Sequence, residues 1–184
     1  METLANEAAL SGIGAKGLVA LDFFQGNRTP YKNPYLSGQI RGLRLAHTRG
    51  DIYRALMESV GYGTKNIIDT MEKGGVNIQK IVACGGVTKD PLWLSILADI
   101  CQRPISLVNT SSYAGIMGCA LVSAVSEGVY ENHTAAAKTM IHETSCVQPD
   151  AASGSEYEKI FTRYISYCME EIEEKNEQKD SYGK

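Results

Sequence analysis

A chain of 184 residues that is 43% hydrophobic and has only 5 prolines is long enough to bury one core and requires no second one. Its 18 basic and 21 acidic residues leave a formal charge of -3 with no Lys/Arg-dense face, which argues against a nucleic-acid or anionic-membrane partner. No apolar run approaches the roughly 20 residues that span a bilayer, and the first residues lack a signal-peptide pattern, so a cytoplasmic protein is expected.

Residues 3–10, TLANEAAL, are good helix formers that stop at Ser11-Gly12. The GIGAKG that follows satisfies G-x-G-x-x-G, but a dinucleotide fingerprint needs a strand before the glycines and a helix after them. Here a helix precedes and the apolar run LVALDFF, Leu18 to Phe24, follows. A capping turn into a strand is the expectation, and a Rossmann-type NAD enzyme ranks last among the readings. QGNRTPYKNPYLSG reads as an ordered excursion that packs down on the domain, because it carries Tyr31 and Tyr35. QIRGLRL, Gln39 to Leu45, alternates with the period of a half-buried strand and should pair with the first run across that loop.

Thr48, with Asp51 three residues on, makes a box-like start for a long amphipathic helix. That helix should end at Gly74-Gly75 and carry Ile52, Leu56, Val60, Ile67 and Met71 on its apolar face. Gly61 and Gly63 lower helix propensity, so another element or a ligand comes close there, packing being the simpler account. IQKIVAC, Ile78 to Cys84, reads as a strand, PLWLSILADICQ as a helix and PISLVN as a buried strand, together a β-turn-α-β unit. YAGIMGCALVSAVSEG, Tyr113 to Gly128, is nearly all apolar with small residues at Gly115, Gly118, Ala120 and Ala124, so burial against a sheet is expected. HTAAAKTMI is a further helix, Glu143 to Gly154 an irregular stretch, and EYEKIFTRYISYCMEEIEE a Tyr-bearing amphipathic helix. Residues 175–184 should fray, and the charge run EEIEEKNEQKD is most simply a solvated helix end.

Cys84, Cys101, Cys119, Cys146 and Cys168 are odd in number and show no C-x-x-C pairing, which predicts reduced, buried thiols. His47, His133 and His142 stand too far apart in sequence to share a helical face, so no metal site is expected.

The stretch IVACGGVTKDPLW holds the most informative choice. Gly85-Gly86 either ends a strand tightly and tucks in the next helix, or leaves the backbone bare for a flat or anionic ligand at a strand's carboxyl end. Thr88 and Asp90 could cap the helix or meet a ligand's polar edge, and Asp90 before Pro91 is a favoured cap in its own right. In the loop, Arg28 beside Asn27 could hold phosphate or carboxylate bidentately, the simpler role being a loop-fixing salt bridge or carbonyl contact.

Read together, LVALDFFQGNRTP, GQIRGLRLAHTRGDIYRALMESVGYGTKNIID, IVACGGVTKDPLWLSILADICQRPI and AGIMGCALVSAV resemble the carboxyl-terminal half of the FGGY family of carbohydrate kinases, over about residues 8–170. LDFFQGNRTP and FTRYISY look most like ribulokinase-type members, with xylulokinase-like ones also in view. The resemblance implies an α/β fold of the ribonuclease H-like, actin and hexokinase kind, with a mixed sheet flanked by helices. It implies a domain that holds ATP or ADP, Gly85 and Gly86 lying against the adenosine and Asp90 near the base; Thr88 joins this expected nucleotide site as a short polar group at the same turn. Asp90 stands where some members have asparagine or serine, which exchanges a donor for an acceptor.

The family's sugar-binding groups, catalytic aspartate and phosphate-reaching hairpin would lie upstream of Met1 in a separate domain, so residues 1–184 are expected to carry no catalytic residue. Magnesium would join only in the full-length enzyme, and the chain alone should not turn over. The alternative is a non-catalytic nucleotide-binding or interaction module that self-associates through the face the other domain would cover.

Overall fold

A computed structural model describes residues 2–182. In chain order it contains α1 (Glu2–Ser11), β1 (Val19–Leu21), β2 (Gln39–Arg41), α2 (Arg49–Lys73), β3 (Ile81–Ala83), α3 (Pro91–Cys101), β4 (Ile105–Val108), α4 (Ala114–Ser126), α5 (His133–Met140), β5 (Glu143–Val147) and α6 (Ala151–Tyr182). β1 and β2 pair antiparallel across the loop as expected, with Ala20 opposite Ile40, but β2 stops at Arg41 and Ile40, Leu43 and Leu45 are exposed, so the half-buried alternation expected through Leu45 is not formed. β3 and β4 pair parallel through the α3 crossover, and β5 joins β4 antiparallel, in the order β3-β4-β5.

β5 falls inside the stretch expected to be irregular. Its ETSCV sequence offers a single aliphatic residue and lies mostly exposed at an edge, so pairing with β4 makes it a strand, not apolar alternation.

The turn from α1 into β1 explains GIGAKG. Gly14 has φ +76°, a Cβ there would stand 2.7 Å from Ile160 Cδ1, and its amide donates to Glu58 Oε1 at 2.9 Å. A helix precedes and a strand follows, so the pattern is a turn and not a dinucleotide cradle.

α2 begins with the capping box: the Thr48 hydroxyl accepts from the Asp51 amide, and the Thr48 amide donates to the Asp51 carboxylate at 2.7 Å. Asp51 also accepts from the Ser11 hydroxyl at 2.6 Å and pairs with Lys16 at 3.0 Å. The Ser11 hydroxyl first, then the Thr48 amide, hold its carboxyl well below the usual carboxylate range. The end of α1 is thereby clamped to the start of α2.

The buried side of α2 is not the predicted one. Val60 and Met71 are exposed and Ile52, Leu56 and Ile67 half-buried, whereas Arg54, Ala55, Met57, Glu58, Tyr62 and Ile68 are buried. Arg54 Nε donates to Glu58 Oε1 at 2.7 Å and Arg54 Nη2 to the Tyr157 hydroxyl at 2.5 Å, while the Tyr62 hydroxyl donates to Glu58 Oε2 at 3.3 Å. An apolar-periodicity reading assigns both charges to water; satisfied by each other one turn apart, they lie inside. Close packing accounts for the two glycines: a Cβ on Gly61 would stand 2.6 Å from Ile100 Cδ1, and one on Gly63 would collide with the Asp22 carboxylate.

α6 closes the core. Its Tyr157, Phe161, Tyr164 and Cys168 pack against Val19, Leu21, Phe23, Met57, Tyr62, Ile96 and Ile100. The Tyr62 and Tyr164 ring centroids lie 5.5 Å apart, and the Tyr164 hydroxyl donates to Asp22 Oδ1 at 2.6 Å. Buried Glu171 accepts from the Ser37 amide at 2.9 Å and from the Gln39 side chain, and Glu170 pairs with Arg41. The 25–38 excursion packs down as expected: Leu36 is buried, Tyr31 stands edge-on to Phe23, and Asn66 donates to the Tyr31 hydroxyl, although Tyr35 faces out. Residues 175–182, expected to fray, continue α6, and Gly183 and Lys184 lie outside the described residues.

The burial expected for α4 is overturned. Ile116 and Val122 of α4 are 74% and 58% exposed, and no α4 residue is buried. α4 packs chiefly beside α5, and Val82, in the middle of β3, is itself exposed. A helix apolar on all sides belongs under another layer, and among the described residues nothing supplies one. The same opening corrects the thiols: Cys101 and Cys168 are buried, but Cys84, Cys119 and Cys146, on segments without a cover, are exposed. Among the described residues no helix is long and apolar enough to cross a membrane.

Candidate functional site

β3 and β4 run parallel, so their carboxyl ends stand side by side, the edge at which open α/β sheets most often receive ligands. From β3 the chain passes through Cys84 and Gly85 into a 3-10 turn, Gly86–Lys89, and then α3. Gly85 has φ +82° and ψ -154°, a conformation essentially restricted to glycine. Gly86 is outside the left-handed region, and a Cβ on either glycine would meet nothing within 4 Å. Backbone geometry therefore explains the first glycine. Neither geometry nor packing explains the second, and the two together leave a floor without side chains.

The neighbouring polar groups are partly committed to this turn. The Thr88 hydroxyl donates to the Gly85 carbonyl at 2.7 Å. Asp90 Oδ1 accepts from the amides of Leu92 at 3.0 Å and Trp93 at 3.3 Å, with Pro91 at the first helical position. Asp90 is thus the cap of α3. A carboxylate at this helix end takes the place where an anion would otherwise be favoured, so the turn suits an uncharged flat group better than a phosphate.

Asn27 organises its own loop, accepting from the Tyr31 amide at 3.0 Å and exchanging two main-chain bonds with Asn33 at 2.8 Å each. Arg28 is exposed and, among the described residues, makes neither an ion pair nor a hydrogen bond, so the loop-fixing contact expected of it is not formed. No hydrogen bond among the described residues joins Asn27 or Arg28 to the Gly85 turn. Gly85, Gly86, Thr88 and Asp90 come together, and no hydrogen bond among the described residues ties the loop pair to them.

Three residues gain a place that sequence reasoning did not assign. The buried Ser111 lies against the Gly85 turn and accepts from the Gly85 amide through its main-chain carbonyl at 2.8 Å. Asp22 and Trp93 line a groove of about 350 Å³ with Phe24, Tyr53, Leu56 and Val60. Burial pushes the Asp22 carboxyl up, against the opposing Tyr164 donor, and Trp93 Nε1 is buried without a hydrogen-bond partner among the described residues. One of two adjacent serines in NTSS and an aspartate inside an apolar run carry no periodic signal, and a tryptophan at helical spacing with aliphatics suggests core or interface.

This architecture is that of the sugar kinases with an actin- or hexokinase-like ATPase fold. It superposes on a xylulose kinase from Rhodospirillum rubrum with a TM-score of 0.75 and 30% identity, over 90% of this chain and 33% of that one. On a ligand-bound xylulose kinase from Lactobacillus acidophilus the TM-score is 0.79 at 19% identity, over 90% and 34% of the two chains. Residues 1–127 match the C-terminal domain of the FGGY family of carbohydrate kinases, and a ribulokinase from Mycolicibacterium smegmatis is 35% identical over 165 residues. The chain belongs to the FGGY family of carbohydrate kinases. The ribulokinase match covers 89% of this chain and 29% of the relative, so the chain spans less than a third of that protein's length.

Proposed function

We propose that residues 1–184 form the nucleotide-binding carboxyl-terminal domain of an ATP-dependent sugar kinase. The complete enzyme transfers the γ-phosphoryl of MgATP to a hydroxyl of a pentulose such as ribulose or xylulose. The observation that carries this reading is the side-chain-free floor at Gly85 and Gly86, at the carboxyl end of β3 and open to approach. A flat adenosine can lie against it, with the Thr88 hydroxyl and the Asp90 carboxylate at its border. Arg28, unpaired within the described residues, is available to an anionic group. The ribulokinase and xylulose kinase relatives supply the substrate class.

In this reading the sugar, the catalytic aspartate and the phosphate-reaching hairpin belong to an amino-terminal domain, and the apolar surface of α4 is where such a domain has something to cover. Among the described residues no group of three His, Cys, Asp or Glu side chains is placed to hold a metal. Magnesium would accordingly be held by the triphosphate and by that other domain. Bound ATP supplies the phosphoryl group; this chain's residues orient the adenosine and, on closure against the second domain, help to exclude water. The exposure of α4 also favours a second reading, a non-catalytic module that associates with its own copies.

Calorimetry on the purified chain should show binding of ATP and ADP. No adenine-nucleotide binding together with tight NAD binding would overturn the assignment. Sugar-dependent ATP consumption by this chain alone should stay at background, and clear turnover would disprove the placement of the catalytic groups elsewhere.

The two glycines should separate by mutation. Gly85→Ala forces a side chain into a conformation that costs about 1–3 kcal/mol, visible as a lower unfolding midpoint. Gly86→Ala has room for its methyl and should leave the unfolding midpoint nearly unchanged while weakening ADP binding. Equal nucleotide affinity of Gly86→Ala and the parent chain would remove the main support for the floor.

A further inference from the structure

A pair of glycines is the most permissive dipeptide a chain can contain, so a single conformation at Gly85-Gly86 has to be imposed from outside. Ser111, 6% exposed in the turn between β4 and α4, does this with three hydrogen bonds. Its hydroxyl donates to the carbonyl of Ala83, the last residue of β3, at 3.0 Å. The same oxygen accepts from the amide of Val108, the last residue of β4, at 2.9 Å. Its main-chain carbonyl accepts from the Gly85 amide at 2.8 Å. One residue thus fastens together the ends of both parallel strands and fixes the amide of the first glycine.

We infer that Ser111 is a positioning residue for the nucleotide: by holding Gly85 at φ +82° and ψ -154° it keeps the glycine floor flat and open for adenosine. The inference rests on the nucleotide-binding reading of that floor. Removing the hydroxyl leaves the Ala83 carbonyl and the Val108 amide without their shared partner and frees the segment that carries the Gly85 acceptor. Ser111 touches no ligand in this account; it acts through Gly85.

The test compares ADP binding by calorimetry, well below the unfolding midpoint, for the parent chain, Ser111→Ala, Ser111→Cys and Thr48→Ala. Thr48 caps α2 away from the turn, so its variant loses stability without touching the floor. The expected result is ADP affinity at least tenfold weaker for Ser111→Ala, an intermediate loss for the weakly hydrogen-bonding, similarly sized Ser111→Cys, and parental affinity for Thr48→Ala. Amide hydrogen exchange without nucleotide should be faster at Gly85 in both Ser111 variants, and Ser111→Cys provides the comparison if the alanine variant does not fold. Parental ADP affinity in the Ser111 variants overturns the role of Ser111 alone, as does unchanged exchange at Gly85. A parent chain that binds no ADP while its Gly85 exchange responds to Ser111 overturns the nucleotide reading, and the positioning role with it.

Discussion

Arg54→Ala should destabilise the domain by about 3–5 kcal/mol at neutral pH, the cost of leaving one member of a buried ion pair without its partner. The Arg54 and Glu58 side chains are 6% and 1% exposed. Burial pushes the Glu58 carboxyl above its usual 4.5, opposed chiefly by the Arg54 guanidinium and then by the Gly14 amide and the Tyr62 hydroxyl. A carboxyl whose folded pKa lies above the unfolded one holds its proton longer in the folded state. Its contribution to stability therefore falls as pH rises from about 4.5 through the folded value. Losing Arg54 raises that folded value further, so the deficit of the variant should be larger at pH 7 than at pH 5. Urea unfolding at both values measures it. A deficit below about 1 kcal/mol at pH 7, or one that grows on acidification, would show that the pair does not hold the turn after α1, α2 and α6 together. Arg54→Met combined with Glu58→Leu should recover much of the loss, because an apolar pair of similar volume can replace a buried ion pair.

Ending the chain after Asp150 should abolish cooperative unfolding, although residues 1–127 are the part that matches the family's C-terminal domain. α6 places Tyr157, Phe161, Tyr164 and Cys168 in the main core. At about 1.5–3 kcal/mol for each fully buried large side chain, the three aromatics alone contribute an amount comparable to the 5–15 kcal/mol that stabilises a typical domain. Their removal also uncovers Tyr62 and leaves Asp22 without the Tyr164 hydroxyl. The shortened chain should bind hydrophobic dye and melt without a heat-absorption peak. A sharp calorimetric transition would show that the first 150 residues form a core without α6.

Features governed by neighbours in sequence were the legible ones. Thr48 and Asp51 marked the start of α2 and Gly74-Gly75 its end, because caps and stops act within one turn of helix. The β3-α3-β4 unit was readable for the same reason, as was the order of helix, turn and strand that removes the dinucleotide meaning of GIGAKG. Features governed by distant partners were not. The inner face of α2 carries Arg54 and Glu58, which belong inside only because Gly14, Tyr62 and Tyr157 meet them there. β5 is a strand because β4 pairs with it. In α4 the sequence records how apolar a helix is, and whether a cover exists is a property of what packs around it. In the candidate site both glycines were visible as glycines, but their separate reasons appear only in three dimensions. Ser111 was hidden because part of its work is done by a main-chain carbonyl that every residue possesses.

The contacts of α6 also set a timetable. Glu171 bonds Ser37 and Gln39, Glu170 pairs with Arg41, and Tyr164 reaches Asp22, so the first strands of the sequence depend on its final helix across 129 to 142 residues. Partners this remote must pay the entropy of closing such long loops before they gain anything, which slows folding. At about 5–20 residues per second, β1 and β2 would leave the ribosome on the order of 10 s before the helix that covers them. For that interval Leu21, Phe23 and Leu36 would be without the surface that buries them, and a nascent chain of this protein is then a natural client for chaperones that bind exposed apolar segments.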